Sequence, residues 1–208
     1  MPAGQGSAVR AVRVTANQVG SIRFQGVPGQ LAITGTGPGR VTLTGKLRGT
    51  GGTPAVETRL DRATDALAVF IRCAPASSCT ENLQLTVPAG IPVAVLQPGG
   101  QVVLTGLAGP LRLSAANVDI SADGLRSPEL WAVITSGHLS ATFAAPPRQV
   151  TIALASAQAT LRLPADAPYQ VIQQATSGYV RVAVPQAGNA TRTVTARIDS
   201  GELELLPS

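Results

Sequence analysis

The side chains able to do chemistry are few, and their spacing excludes most of it. Cys73 and Cys79 bracket Cys73-Ala-Pro-Ala-Ser-Ser-Cys79, a gap of five residues. That is not the two-residue spacing of a redox pair. With no second cysteine pair and no histidine nearby, it cannot complete a tetrahedral zinc site either. The Pro- and Ser-containing loop can bring the two sulfurs together, so a structural disulfide is expected, with two reduced thiols as the alternative. A disulfide would imply an oxidising, extracytoplasmic compartment and add about 2 kcal/mol of stability for so short a loop.

His138 is the only histidine and follows Ser136-Gly137. With no cysteine, histidine or paired carboxylate in sequence reach, it reads as an outward-facing surface residue rather than a ligand or base. Asp119 and Asp123 in Val118-Asp-Ile-Ser-Ala-Asp-Gly124 superficially suggest a calcium loop. Their spacing and the missing terminal glutamate do not fit one, and turn capping is the better expectation. Glu202 and Glu204 share one strand face, where they are expected to form a polar cap on the end of the fold. Polysaccharide-cleaving enzymes need two carboxylates about 5–9 Å apart, and the acids here are scattered singly along the chain. Tyr169, Tyr179 and Trp131 are the rings available for stacking on a sugar, although Trp131, next to Leu130, fits a core position equally well. No metal, cofactor or catalytic site is expected.

Charge is distributed unevenly. Residues 1–80 carry nine basic and three acidic side chains, and residues 81–208 carry seven and eight, within a net charge of +5. The first part is therefore where an anionic partner would bind, with Arg10, Arg13, Arg23, Arg40 and Arg48 as its contacts. These arginines alternate with apolar residues along apparent strands, and only Phe24 and Phe70 lie among them. That pattern argues against nucleic acid, which calls for clustered basic residues interleaved with rings. Solubilising charge on a strand face is the other reading.

The elements that must position these residues are strands. Apolar residues alternate with period two, and Gly, Pro and Asn turns interrupt them every eight to twelve residues. Val9–Val14, Ser21–Phe24, Leu31–Thr34, Arg40–Thr44, Leu67–Ile71 and Leu83–Val87 all fit this pattern. Residues 59–66 could make one helical turn, but read better as a connection between strands. No apolar run is long enough to span a membrane as a helix, and Met1–Ser7 has no leader pattern. The extracytoplasmic expectation therefore requires the natural gene product to begin upstream of Met1, with a leader or a membrane anchor.

The second half repeats. A small pair followed by alternating apolar residues recurs with its second member at 100, 116, 137, 157, 178 and 201. One such unit has a single apolar face and cannot bury it alone, so successive units must stack on a shared core. The pattern predicts an all-β, single-stranded β-solenoid with coils of about 20 residues, right-handed by expectation. One domain is expected over residues 9–207, clearest at 83–206, after an irregular or expression-derived start at 1–8. An immunoglobulin-type sandwich would have no fixed period and would set a tryptophan between its two cysteines, which Trp131 is not.

Leu85-Thr-Val-Pro-Ala-Gly90, the Ser-Gly copies at 136, 177 and 200 and the closing Asp199-Ser-Gly-Glu-Leu-Glu-Leu205 resemble the bacterial putative-adhesin family of β-strand-repeat proteins, a domain of unknown function. The resemblance covers residues 83–206 well and 9–72 loosely, and the composition is similar to that of actinobacterial members. It implies a surface or envelope protein and carries over no site residues. The function it suggests is a non-enzymatic binding or scaffold module of the cell envelope, taking part in adhesion or envelope stress. Its expected partner is an anionic wall polymer, a membrane surface or another envelope protein. A polysaccharide-active enzyme on the same scaffold and end-to-end self-assembly are the alternatives.

Overall fold

The computed structural model describes residues 7–75 and 77–208, with the Ser7 side chain left out. Among these residues the chain is all-β, without helix. In chain order the strands are β1 (Ser7–Ala16), β2 (Ser21–Gln25), β3 (Gly29–Thr36), β4 (Val41–Thr50), β5 (Ala55–Asp61), β6 (Ala66–Arg72), β7 (Ser78–Pro88), β8 (Val93–Gln97), β9 (Gly100–Thr105), β10 (Leu111–Ala115), β11 (Val118–Leu125), β12 (Glu129–Phe143), β13 (Gln149–Leu163), β14 (Gln170–Ala175), β15 (Tyr179–Val182), β16 (Thr193–Ile198) and β17 (Glu202–Pro207). Every stretch expected to be a strand lies in one, apart from Arg40, which precedes β4.

The strands pair in two parallel ladders. The first runs β6–β2–β8–β10–β12–β13–β16–β14. The second runs β7–β3–β9–β11–β12–β13–β17–β15. The long strands β12 and β13 belong to both, the first half of each to one ladder and the second half to the other. All the strands form one sheet, curled round a single core into a nearly closed, barrel-like form.

The core follows from the alternation. In the first ladder Ile22, Leu67, Val93, Leu111, Leu130, Val150 and Val194 stand in register facing inward, none more than 3% exposed. Leu31, Leu83, Val102, Ile120, Leu139, Ala159 and Leu203 face inward in register in the second, none more than 4% exposed. Each fully buried aliphatic side chain contributes about 1.5–3 kcal/mol, and the aligned rows favour β-branched and leucine residues, which suit a pleated surface. Where β12 turns from one ladder into the other, Gly137 has φ 107°. A Cβ there would fall on the Val118 carbonyl, so the corner requires glycine.

Several expectations are corrected. A uniform single-stranded winding over 9–207 does not describe the sheet, because the first part closes with antiparallel pairs: β5 on β6, β4 on β7 and β1 on β4. The strand β5 runs to Asp61, where a connection was expected. Its hairpin turn is fastened by Asp61, which accepts from Ala63 N and Thr64 Oγ, both at 2.9 Å. These hydrogen bonds, the one from Ala63 N foremost, hold the Asp61 carboxyl below its usual range. β1 begins at Ser7, inside the stretch expected to be irregular, while residues 1–6 lie outside the described residues. The last strands are not the end of the stack. β16 and β17 are inserted between β13 and the pair β14 and β15, so Glu202 and Glu204 do not cap an end.

Cys73 and Cys79 form a disulfide with a Cα–Cα separation of 5.8 Å, joining the end of β6 to the start of β7 where the two ladders meet. One buried polar cluster lies nearby. Glu81 accepts from Val27 N and from Gln97 Nε2, each at 3.1 Å. Gln97 Nε2 also reaches Val27 O and Gly99 O, while its Oε1 has no partner. Burial pushes the Glu81 carboxyl up to about 7 against these two hydrogen bonds.

Candidate functional site: an arginine and aromatic row

Half of the six aromatic rings are inside. Phe24, Phe143 and Tyr169 are at most 1% exposed, and the Tyr169 hydroxyl donates to Pro164 O. Trp131, Tyr179 and Phe70 look outward or lie at the surface. Trp131 is 39% exposed while its neighbour Leu130 is buried, so it is a platform rather than a core residue.

Trp131 belongs to a row across the outer face of the first ladder. Strand register aligns Arg59, Ala68, Arg23, Ala94, Arg112, Trp131 and Thr151, one residue on each of β5, β6, β2, β8, β10, β12 and β13. Arginine therefore occupies every second strand, with alanine between. Adjacent strands lie about 4.8 Å apart, which sets the arginine anchor points roughly 9.5 Å from one another. The alanines leave an open groove of about 440 Å³, floored by Ala66, Ala68 and Ala94 and flanked by Arg23, Arg59 and Arg112, with the Asp61 carboxylate on its wall at the β5 end.

The rings hold two of these cations in place. The Arg112 guanidinium lies over Trp131, 5.9 Å from the ring centroid. Arg59 and Arg72 lie over Phe70 at 5.7 and 5.4 Å, and both approach Glu57, at 3.9 and 3.5 Å. Among the described residues neither Arg23 nor Arg112 has a carboxylate within 4.0 Å. Two guanidiniums thus face solvent uncompensated over an apolar floor, an arrangement suited to bidentate capture of a carboxylate, sulfate or phosphate.

The arginines singled out from sequence do not form one patch. Arg23 lies in the groove. Arg13 and Arg48 share the outer face of the antiparallel end with Lys46, across β1 and β4. Arg10, on the inward side of β1, reaches Pro54 O at 3.5 Å, and Arg40 is exposed just before β4. Arg59 and Arg112 were missed. Their signal was present as arginine at alternate rungs, but it emerges only once the register is known.

The outer face of the second ladder carries a different row: Asn82, Gln30, Gln101, Asp119, His138, Gln158, Glu202 and Tyr179. Here the groups bind each other. Asn82 Nδ2 donates to Gln30 Oε1 at 3.1 Å, His138 Nδ1 lies 2.9 Å from Asp119 Oδ1, and Arg181 donates to Glu204 at 3.3 Å. Asp119 stands mid-strand against His138 instead of capping a turn. The repeat as read from sequence put Asn117 beside His138 because its copy at 115–120 was aligned two residues out of register. Asp119 and Glu202 are three strand spacings apart, roughly 14 Å, beyond the about 5–9.5 Å at which paired carboxylates cleave glycosides.

No family model matches the chain, and no curated protein matches it. Among solved structures, a putative cell adhesion protein from Clostridium sporogenes has the same fold over its full length: TM-score 0.55 at 11% identity, covering 96% of this chain and 100% of that one. Putative adhesins from Bacteroides fragilis and Parabacteroides merdae follow at TM-scores of 0.49 and 0.43, each 10% identical, over 98% of this chain and 100% and 98% of their own. These sources are not actinobacterial, as the composition had suggested.

Proposed function

We propose that this chain is a non-enzymatic binding module of the bacterial cell envelope, working outside the cytoplasm and holding an anionic polymer along its first ladder. Its stacked ladders, read as a solenoid of roughly twenty-residue coils closed by antiparallel strands, serve as a rigid scaffold. The observation that carries the reading is the row of Arg59, Arg23 and Arg112, with Arg23 and Arg112 free of carboxylate partners and Arg112 braced on Trp131. The disulfide supports an oxidising compartment. The shared fold with a putative cell adhesion protein supports the envelope setting. Titration with an acidic polysaccharide at low and high salt tests the proposal. Binding should weaken steeply as salt rises, because exposed charges are screened, and should weaken about tenfold or more in an Arg23→Ala, Arg112→Ala double variant. Binding that ignores salt, or is unchanged in that variant, overturns it.

A further inference from the structure

The spacing within the arginine row selects among anionic polymers, and we infer that the groove takes an extended glycan carrying an anionic group on every second sugar. The inference rests on the proposed binding role of the same groove. The three arginine anchor points are evenly spaced across the strands, and Arg59 also meets Glu57 at 3.9 Å, which leaves Arg23 and Arg112 as the free cations of the row among the described residues. Alanine at the intervening rungs, Ala68 and Ala94, removes any competing side chain and leaves one guanidinium per two strands. A polymer lying across the strands therefore meets an arginine anchored about every 9.5 Å, roughly the length of two linked pyranose rings.

Other polyanions match this period less well. A nucleic-acid strand presents a phosphate about every 3.4 Å, so most of its charge would face alanine. A polyuronate with a carboxylate on every sugar would likewise place alternate charges opposite alanine, where they gain no ion pair. A glycan with alternating charge places each carboxylate at an arginine and each neutral ring over an alanine. Trp131, on the rung after Arg112, adds an apolar ring for the next sugar and draws the Arg112 guanidinium over itself. A bilayer headgroup surface offers charge in two dimensions and has no reason to prefer one row.

The test compares three probes at equal charge concentration: hyaluronate, with a carboxylate on alternate sugars; polygalacturonate, with one on every sugar; and phosphatidylglycerol vesicles. Wild-type protein should bind hyaluronate roughly tenfold more tightly than either of the others. An Ala68→Arg, Ala94→Arg double variant fills the vacant rungs and should reverse the order towards polygalacturonate. Both alanines lie on the outer face, so thermal melting can confirm that the variant is folded. Equal or tighter binding of polygalacturonate or vesicles by the wild type, or an unchanged order in a folded double variant, overturns the inference and leaves the broader binding role standing. No binding of any of the three overturns both.

Discussion

The two outer faces share one backbone, one strand spacing and one core, yet they differ in what their polar groups do. On the second ladder, Asn82 with Gln30, Asp119 with His138 and Arg181 with Glu204 satisfy one another. On the first, Arg23 and Arg112 have no carboxylate partner among the described residues, and the one rung between them is Ala94. A face on which polar groups partner one another gains less from a ligand, whereas guanidiniums without carboxylate partners over an apolar floor gain most of their bonds from one.

The largest expected effect removes the support beneath both faces. Leu203 is fully buried, and Leu203→Asp should cost at least about 4 kcal/mol by leaving a charge unpaired in the core. Val180→Asp, at the half-buried edge strand β15, should cost only about 1 kcal/mol. Chemical denaturation of the two variants measures the contrast, and equal costs would mean that β15 is not an edge. The next effect depends on pH. Because Glu81 titrates at about 7 in the fold against 4.5 when exposed, its contribution to stability is complete below 4.5 and lost as pH rises through about 7. Glu81→Gln, whose single amide oxygen can accept only one of the two hydrogen bonds made to Glu81, should fall below the wild type in acid and gain on it by up to about 3 kcal/mol as pH rises to about 8. Denaturation midpoints across pH check this, and parallel curves would refute it.

Smaller effects separate the surfaces. Replacing both Arg23 and Arg112 with alanine should weaken binding to hyaluronate about tenfold or more. The same change at Lys46 and Arg48, in the cationic patch of the antiparallel end, should weaken it only severalfold through net charge. A stronger loss from the second pair would move the binding site to that end. Least of all, His138→Ala should change stability by no more than about 0.5 kcal/mol, since its bond to Asp119 is solvent-exposed, and should leave binding untouched. A measurable loss of affinity would bring the second face into the site.

The sequence made the strands, the inward rows and the disulfide legible, because period two, turn residues and a short cysteine gap are local signals. It did not reveal β5, whose Glu57, Arg59 and Asp61 face solvent and whose Leu60 is 44% exposed at an edge, so no buried face imposed a clear alternation. It also misplaced Asp119. One copy is shifted by two residues, and a shift of two preserves which side chains face inward, so the apolar pattern could not expose the error. The arginine row was hidden for a related reason: Arg23, Arg59 and Arg112 are far apart in sequence and meet only through register.

The insertion of β16 and β17 between β13 and the pair β14 and β15 imposes an order of assembly. On the ribosome, β14 and β15 emerge before β16 and β17, the strands they pair with. Until residues 193–207 arrive, β13 presents the growing edge, and the preceding segment must wait outside it rather than add to it directly. The last strands thus act as a latch, closing the stack in one late step over a long loop. Such a step is slow, and it leaves an unpaired strand edge exposed to neighbouring chains until it is complete.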